Sequence, residues 1–491
     1  MKPWPTSKSE ARESVAERLP RDRGVAVFQV RHGREIVLLA YPTVLAMLSH
    51  TLMWTVDTAL LGRVSSLALG AAGLGGLLTW TGYSLFNNLS RITGTFVAQA
   101  HGRGDDEAVA AFTWQGLWIG LVCGVILQIM GYYSYLALPL TGHDAAIQDA
   151  TYTYVRWRTL SAVPTQVSFA LMGYFQGRRE VRIPMWGGIA GNVVNVVLDV
   201  WLIFGWAGFT LLGRTWLAMP PLGILGAAIA TTIGVTVNTL VLVVWALTAR
   251  AGRRRYRIHK PRRPEPARLL RMLRVGAPAA WENFVDMSSF SLFGVFVGRA
   301  GAVALAANQI TLQMLSFSFM PMWGLTIAAT VLTGNNIGAG DVPRAEHYAR
   351  QVYKLGAYYA LLLGLLLVLL RERIFAVFTE DPEVLALGAS LAIVAAVFQF
   401  FDGMRMVSIG ILQGAGDTRY PMLAGLLLLW GLFVPLTWLL VVHWSGDVRT
   451  AWLGGSFCYL LMAAAMYLRF ESGRWKTADI FGDRPTPTAT S

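Results

Sequence analysis

Two stretches of this chain carry the same residues in the same order, half a chain apart. Pro42, Gly62, Arg63, Ala68, Leu69, Ala71, Gly102, Gly104 and Asp105 recur without a gap as Pro278, Gly298, Arg299, Ala304, Leu305, Ala307, Gly338, Gly340 and Asp341, each 236 positions on. Gln176, Gly177, Arg182, Pro184 and Met185 recur as Gln413, Gly414, Arg419, Pro421 and Met422, now 237 positions on. Two unrelated apolar sequences would not hold register that long, so the chain is a duplicated unit that must fold twice on one plan. Composition says what kind of unit it is. Only 14% of the residues are charged, against roughly 25% in a soluble domain. With 55% hydrophobic residues, 50 Gly, 18 Trp and a mean hydropathy of +0.49, the chain is no ordinary soluble enzyme. It fits a polytopic helical membrane protein, in which small residues let helices approach and Trp sits at the interfaces.

Between a polar head and a polar tail there is room for twelve spans of ~20–25 residues with their loops. The apolar segments predict spans at 36–61, 66–100, 107–136, 150–176, 184–206, 222–249, 272–298, 303–334, 344–370, 384–412, 420–442 and 450–469. Segments two and eight exceed the bilayer thickness and are expected to tilt or to extend into the cytoplasm. The Arg- and Pro-rich stretch 250–266 can neither span nor pack into a core, and it divides the spans into two groups of six. The predicted organisation is a basic tail (1–34), a first lobe (35–249), a basic cytoplasmic linker (250–271), a second lobe (272–470) and a polar tail (471–491). An even number of spans per repeat gives both lobes one orientation, so the expected fold is all-α, with twelve transmembrane helices in two six-helix lobes. Their pseudo-two-fold axis runs along the membrane normal, and a cavity between the lobes near mid-depth suits alternating access.

The formal charge of +13 would suit nucleic-acid binding, but the basic residues lie in alternate loops. Arg178, Arg179 and Arg182 follow the fourth segment, and eleven Lys/Arg from Arg250 to Arg274 follow the sixth, whereas the intervening loops carry isolated ones such as Arg63, Arg214 and Arg299. By the positive-inside rule both termini are cytoplasmic, and the basicity reports topology in a plasma (inner) membrane, not a nucleic-acid partner. Cys123 and Cys458 stand far apart in apolar segments and give neither a disulfide framework nor a metal-ligand spacing. The head has no apolar stretch ahead of a small-residue cleavage site, so it does not read as a signal peptide.

A carboxylate at the centre of a span costs ~2.5–3.5 kcal/mol by insertion scales, so each needs a reason. Asp57 is the only formal charge between Ile36 and Gly62, and Asp199 the only one between Ile183 and Gly213, with Asn195 four residues before it on the same helical face. Such residues either hold two helices together as satisfied polar groups or bind a proton or cation; neither Asp has a basic residue in its own span. Two nearby buried carboxylates can share one proton, and with amide and hydroxyl oxygens they can cage a small monovalent cation. In the second half Glu282 and Asp286 lie four apart, and Asp402 has Arg405 three residues on, which makes a structural ion pair the competing explanation for Asp402. Glu282 is expected near the cytoplasmic end of its helix. His50 reads as packing, and Asp105 and Asp106 as loop and helix-start residues. Pro42 removes a helix hydrogen bond and marks a kink or hinge.

These residues together resemble a family. "VDTALLG" (Val56 to Gly62), the Gly-x-Gly-Asp ending (Gly102 to Asp105), "QGRREVRIPM" (Gln176 to Met185) and its partner "QGAGDTRYPM" (Gln413 to Met422) are similar to multidrug and toxic compound extrusion (MATE) transporters over residues 34–470. The resemblance implies an exporter of organic cations or amphipathic drugs by antiport against protons or sodium, with no cofactor beyond the coupling ion and no metal. The expected partners are the lipid bilayer and the substrate, and the chain is expected to act as a monomer. Asp57, and Asn195 with Asp199, match the first- and fifth-helix positions of the branch named for DNA-damage-inducible exporters, to which the chain is most similar; Thr231, in "GAAIAT", and Tyr154 match further polar positions of that site. Pro42 matches the proline at which the first helix bends there. Asp286 and Asp402 match second-lobe acidic positions of the norfloxacin-exporter branch and its sodium coupling. The alternative is a lipid or lipid-linked-oligosaccharide flippase of related two-lobe architecture, which the unpaired acidic residues disfavour. A membrane-embedded transferase would need a paired-aspartate motif in a long loop, and the long loop here is Arg/Pro-rich.

Overall fold

The computed structural model describes residues 32–205, 209–211, 214–216, 219–444 and 446–482. The first repeat is built from α1 (Gly33–Gly62), α2 (Ser66–Arg91), α3 (Thr93–Arg103), α4 (Asp106–Tyr132), α5 (Ala145–Arg158), α6 (Ala162–Gly177), α7 (Arg182–Phe204) and α8 (Ile224–Thr248). The second is built from α9 (Pro266–Gly298), α10 (Ala302–Gly338), α11 (Val342–Ala376), α12 (Pro382–Ala415), α13 (Arg419–His443) and α14 (Val448–Glu471). Spans two and four are each made of two helices, broken at Ile92 and at the tight turn Thr159–Ser161, so the two lobes hold six spans apiece. Among the described residues nine helices are long and apolar enough to cross a membrane singly. The strands among the described residues are a hairpin, β1 (Phe209–Leu211) paired antiparallel with β2 (Arg214–Trp216), in the loop after α7.

The repeat is legible in how helices stop and start. The left-handed conformations of Gly104 (φ 71°) and Gly340 (φ 78°) end α3 and α10, where an L side chain would be strained. Asp105 and Asp341 then cap the next helices by accepting from the backbone N–H of Ala108 (2.8 Å) and Arg344 (3.0 Å). The duplicated Gly-x-Gly-Asp is thus a helix stop followed by a helix start, as expected for Asp105. The lobes differ where the second repeat runs α10 and α12 straight through the places at which spans two and four break. In α13 the π-helical turns Leu426–Phe433 and Leu439–His443 flank Pro435, which withholds a donor from the helix ladder.

Two expectations change. The basic linker packs into the first lobe: Tyr256 and Ile258 are buried while Arg255 and Arg257 point outward. The indole N–H groups of Trp114 and Trp118 donate to the carbonyls of Ile258 (3.1 Å) and Arg262 (3.0 Å). A short, tightly turned segment in which apolar and basic residues alternate can bury its apolar side chains while keeping its charges wet, which composition alone hides. Burial also holds the Tyr256 phenol above its ordinary pKa, so it faces the Arg178 guanidinium, 4.4 Å from its ring centre, as a neutral hydroxyl. The linker is shorter than expected, since α9 begins at Pro266. The polar tail also packs: Trp475 is buried against Phe470 in the second lobe, and Phe481 lies against Phe96 and Phe112 in the first. Residues 1–31 and 483–491 of the two tails lie outside the described residues.

Candidate functional site

The first-lobe carboxylates are brought together by helix packing that glycine permits. Gly191 of α7 and Gly234 of α8 face one another so closely that a Cβ on either would stand 2.5–2.7 Å from the other's carbonyl oxygen. On the other side of α7, the Asn192 amide donates to the Ser49 hydroxyl of α1 (2.7 Å). From that contact Asp57 is eight residues along α1 and Asp199 seven along α7. At 1.5 Å per residue the two parallel helices carry both to the same depth. Their carboxyl groups lie within hydrogen-bonding reach of each other. Asp199 and Asn195 are fully buried and Asp57 nearly so. Asp57 Oδ1, both oxygens of Asp199 and both amide atoms of Asn195 find no donor or acceptor elsewhere among the described residues. Tyr154 stands within electrostatic reach of both carboxyls. Thr231 is buried one turn from Gly234 on the helix packed against α7, with its hydroxyl donating to the Ala227 carbonyl of its own helix (2.8 Å).

Unit charges ~4 Å apart at an effective dielectric of 20 repel by roughly 4 kcal/mol. A buried pair of carboxylates with so few donors therefore calls for a proton or a cation between them. One positive group nearby was not legible in the spans of Asp57 or Asp199. Arg158, at the end of α5, lies within electrostatic reach of Asp57, but its guanidinium donates to the Ser161 hydroxyl and stands 6.0 Å from the Tyr83 ring centre.

The second-lobe carboxylates are handled differently. Arg405 of α12 donates through Nε to Asp402 (2.7 Å), through Nη1 to Glu282 (3.2 Å) and through Nη2 to Asp286 (3.0 Å). Asp286 also accepts from the Tyr459 hydroxyl (3.1 Å). The Asp402–Arg405 ion pair, the competing explanation for Asp402, is present, and α9 adds two carboxylates to it. Glu282 is 7% exposed, so its expected place at an accessible helix end is corrected: its neighbours Asp286 and Arg405 draw it into the interior. Among the described residues no group of His, Cys, Asp or Glu is placed to hold a metal ion; the three carboxylates converge on the guanidinium instead. The cluster lines a cavity of about 350 Å³ between the lobes, together with Arg91 from the first lobe and Phe290, Phe319 and Trp323 from the second. Asp57 and Asp199 do not line it.

Beneath this cavity the lobes are joined reciprocally. The Gln99 amide donates to the carbonyls of Gly414 (2.9 Å) and Ala415 (3.2 Å), and the Asn335 amide donates to the carbonyl of Gly177 (3.0 Å). Gln99 and Asn335 are repeat equivalents, as are Gly177 and Gly414. Likewise a Cβ on Gly102 would meet the Asn335 oxygen at 1.9 Å, and one on Gly338 the Gln99 oxygen at 2.0 Å. Glu35 of α1 adds a tie, accepting from Arg179 (2.7 Å) and from Tyr348 of α11 (2.6 Å). This end of the bundle, which also carries the linker and the docked tail, is the sealed face. Pro42 lies buried inside an unbroken α1, where its missing N–H leaves the Leu38 carbonyl without a helix donor.

Comparison with known proteins agrees with the duplicated architecture. The sequence profile described as MatE matches twice, at residues 42–201 and 278–439. The multidrug resistance protein NorM of Burkholderia vietnamiensis is 31% identical over 447 residues, which cover 90% of this chain and 94% of that protein. The multidrug resistance protein PmpM of Pseudomonas aeruginosa is 30% identical over 420 residues, 85% of either chain. Among solved structures, an outward-facing multidrug resistance MATE family transporter of the MOP superfamily superposes with a TM-score of 0.79 at 21% identity, covering 92% of this chain and 98% of that one. The eukaryotic MATE transporter AtDTX14 does so with 0.79 at 18% identity, covering 91% and 97%. At these identities the structural likeness speaks for the fold.

Proposed function

The chain belongs to the MATE family of membrane transporters, and on that footing we propose that it exports amphipathic organic cations in exchange for protons by alternating access. The observation that carries this is the buried Asp57–Asp199 pair, in which Asp57 Oδ1 and both oxygens of Asp199 lack a well-formed hydrogen bond among the described residues. When both are ionised their repulsion favours an arrangement in which the lobe hydrates or parts. A proton placed between them removes that repulsion and lets α1 pack back against α7. Pro42, which frees one carbonyl of α1, is the hinge for that movement. One charge crossing 100 mV supplies ~2.3 kcal/mol, enough to bias two such packings more than tenfold.

Arg405 favours the proton over sodium as the coupling ion. Asp286 and Asp402 are already neutralised by a tethered guanidinium that a sodium ion would have to displace while shedding its own water. This set of contacts supports the first lobe as the coupling site, in line with the DNA-damage-inducible branch. The relatives' names supply the drug class, and they give no support to a flippase. The lysine- and arginine-rich sealed face is assigned to the cytoplasm of a bacterial inner membrane, with both chain termini there.

Export of a fluorescent organic cation from proteoliposomes under separately imposed proton and sodium gradients tests this. Export driven by the proton gradient, abolished by Asp57→Asn or Asp199→Asn without loss of insertion, is the expected result. Export that follows only the sodium gradient, or that survives both substitutions, would overturn the assignment.

A further inference from the structure

Span four carries two arginines in its half remote from the basic sealed face, Arg156 and Arg158. Two positions apart on a helix, they do not share a side. Arg158 turns inward and donates to the Ser161 hydroxyl. Arg156 is exposed, and among the described residues its guanidinium makes neither an ion pair nor a hydrogen bond; it stands over the Tyr132 ring, 5.3 Å from its centre. At 1.5 Å per residue, the 21 positions from Arg156 to Gly177 at the sealed face span about 31 Å. That is the thickness of the hydrocarbon core, so Arg156 stands at the level where the opposite leaflet places its head groups.

The surface beside Arg156 is hollowed. Gly131 of α4 and Thr159 at the break in span four approach so closely that a Cβ on the glycine would stand 2.2 Å from the Thr159 hydroxyl oxygen. That contact closes the seam between the two spans, and beside it they leave an open groove of about 600 Å³. Val125, Ile129 and Tyr132 line the groove from one face of α4, and Arg156, Trp157 and Leu160 line its other wall. Val125 lies seven positions below Tyr132 on α4, about 10 Å nearer the bilayer centre. Val125, Ile129 and Leu160 are exposed, as side chains that face lipid are. The groove thus has one cation at head-group depth, two amphipathic rings next to it and an apolar floor running inward. Among the described residues no carboxylate lines it, so Arg156 has no counter-charge from the protein.

We propose that this groove holds one anionic phospholipid of the leaflet opposite the sealed face. Its phosphate accepts N–H groups from Arg156, whose planar fork matches phosphate geometry. Tyr132 and Trp157 flank the glycerol, the level at which amphipathic rings settle, and one acyl chain lies along Val125, Ile129 and Leu160. A head group whose one charge is the phosphate fits better than one that adds an ammonium, because the groove offers that ammonium no carboxylate. The groove shares no lining residue with the cavity between the lobes, and the proposal is independent of the export and coupling assignments.

Native mass spectrometry of the full-length protein in detergent, titrated with a phosphatidylglycerol and with the phosphatidylcholine of the same chains, tests this. The wild type is expected to retain one phosphatidylglycerol in preference to phosphatidylcholine. Arg156→Gln should weaken that first binding event about tenfold, the size of a lost hydrogen bond between charged groups. Arg299→Gln, which removes an exposed charge elsewhere, should leave it unchanged. Equal binding of the two lipids, an unchanged affinity in Arg156→Gln, or the same loss in Arg299→Gln overturns the proposal. Glycerol phosphate in excess is the soluble arm, and its displacing the lipid overturns the assignment to a phospholipid. A phosphatidylglycerol with a diazirine in its acyl chain gives a readout that needs no variant. Crosslinks concentrated on residues 125–132 and 157–160 are expected in the wild type, and crosslinks spread evenly over the lipid-facing helices overturn the site.

Discussion

Gln99→Ala is expected to loosen the sealed face without unfolding either lobe. In the closed state Gln99 is 2% exposed, and its amide is the donor to the carbonyls of Gly414 and Ala415 at the end of α12. Those carbonyls have no helical partner, because the helix has ended. Alanine removes the donor and water cannot enter, so the closed state loses about 1–3 kcal/mol. When the lobes part, the same carbonyls are hydrated in both proteins, so the loss falls on one side of the equilibrium only. The closed population should drop by a factor of roughly 5–150. Asn335→Ala should act the same way through Gly177, and the two effects should not add, because Gly102 packs on Asn335 within the same contact. Gly338→Ala is the steric counterpart: its Cβ would fall 2.0 Å from the Gln99 oxygen, so the faces could no longer meet. Spin labels at the exposed repeat-equivalent positions Glu107→Cys and Pro343→Cys, with Cys123 and Cys458 replaced by alanine, report the separation by pulsed dipolar spectroscopy. A distance distribution unchanged by Gln99→Ala in a folded, inserted protein would refute the claim that these amides hold the lobes shut.

Other expectations follow from particular contacts. Arg405→Gln uncovers three carboxylates, and sodium should then inhibit or drive export where it had no effect before; sodium insensitivity in that variant would count against Arg405 as the resident cation. Phe481→Ala removes a ring packed between Phe96, Phe112 and the Arg103 guanidinium. Large aromatic deletions cost about 3–5 kcal/mol in a core, so a lower melting temperature in detergent is expected, and an unchanged one would mean that the tail adds no stability. Gly234→Leu should insert but fail to export, since its side chain would force α7 and Asn195 away from α8; uptake assays on the inserted protein decide this.

Much of the architecture is legible in the linear order because it is imposed by the solvent. A bilayer demands long apolar helices whose backbone groups are satisfied internally, and the 236-residue register then requires two like lobes. The same logic singles out Asp57 and Asp199, since a lone carboxylate among apolar residues is conspicuous without any structure. The breaks at Ile92 and Thr159 were hidden, because the nearby Gly94 and Pro164 stand inside the first turn of the helices that follow and not at the breaks themselves. So was the burial of Tyr256, Trp475 and Phe481, which lie in segments whose average polarity masks a few apolar residues.

What the sequence by itself determined is the solvent, the repeat and the presence of charges that lipid would not tolerate. Which charges neutralise one another was decided only in three dimensions. Arg405 and Glu282 are 123 positions apart yet in contact, Asp57 and Asp199 meet across two helices, and Arg91 lines the cavity over aromatic rings with no ion pair among the described residues. Electrostatic pairing depends on distances of a few ångströms between helices, and those distances are set by where glycines let backbones approach.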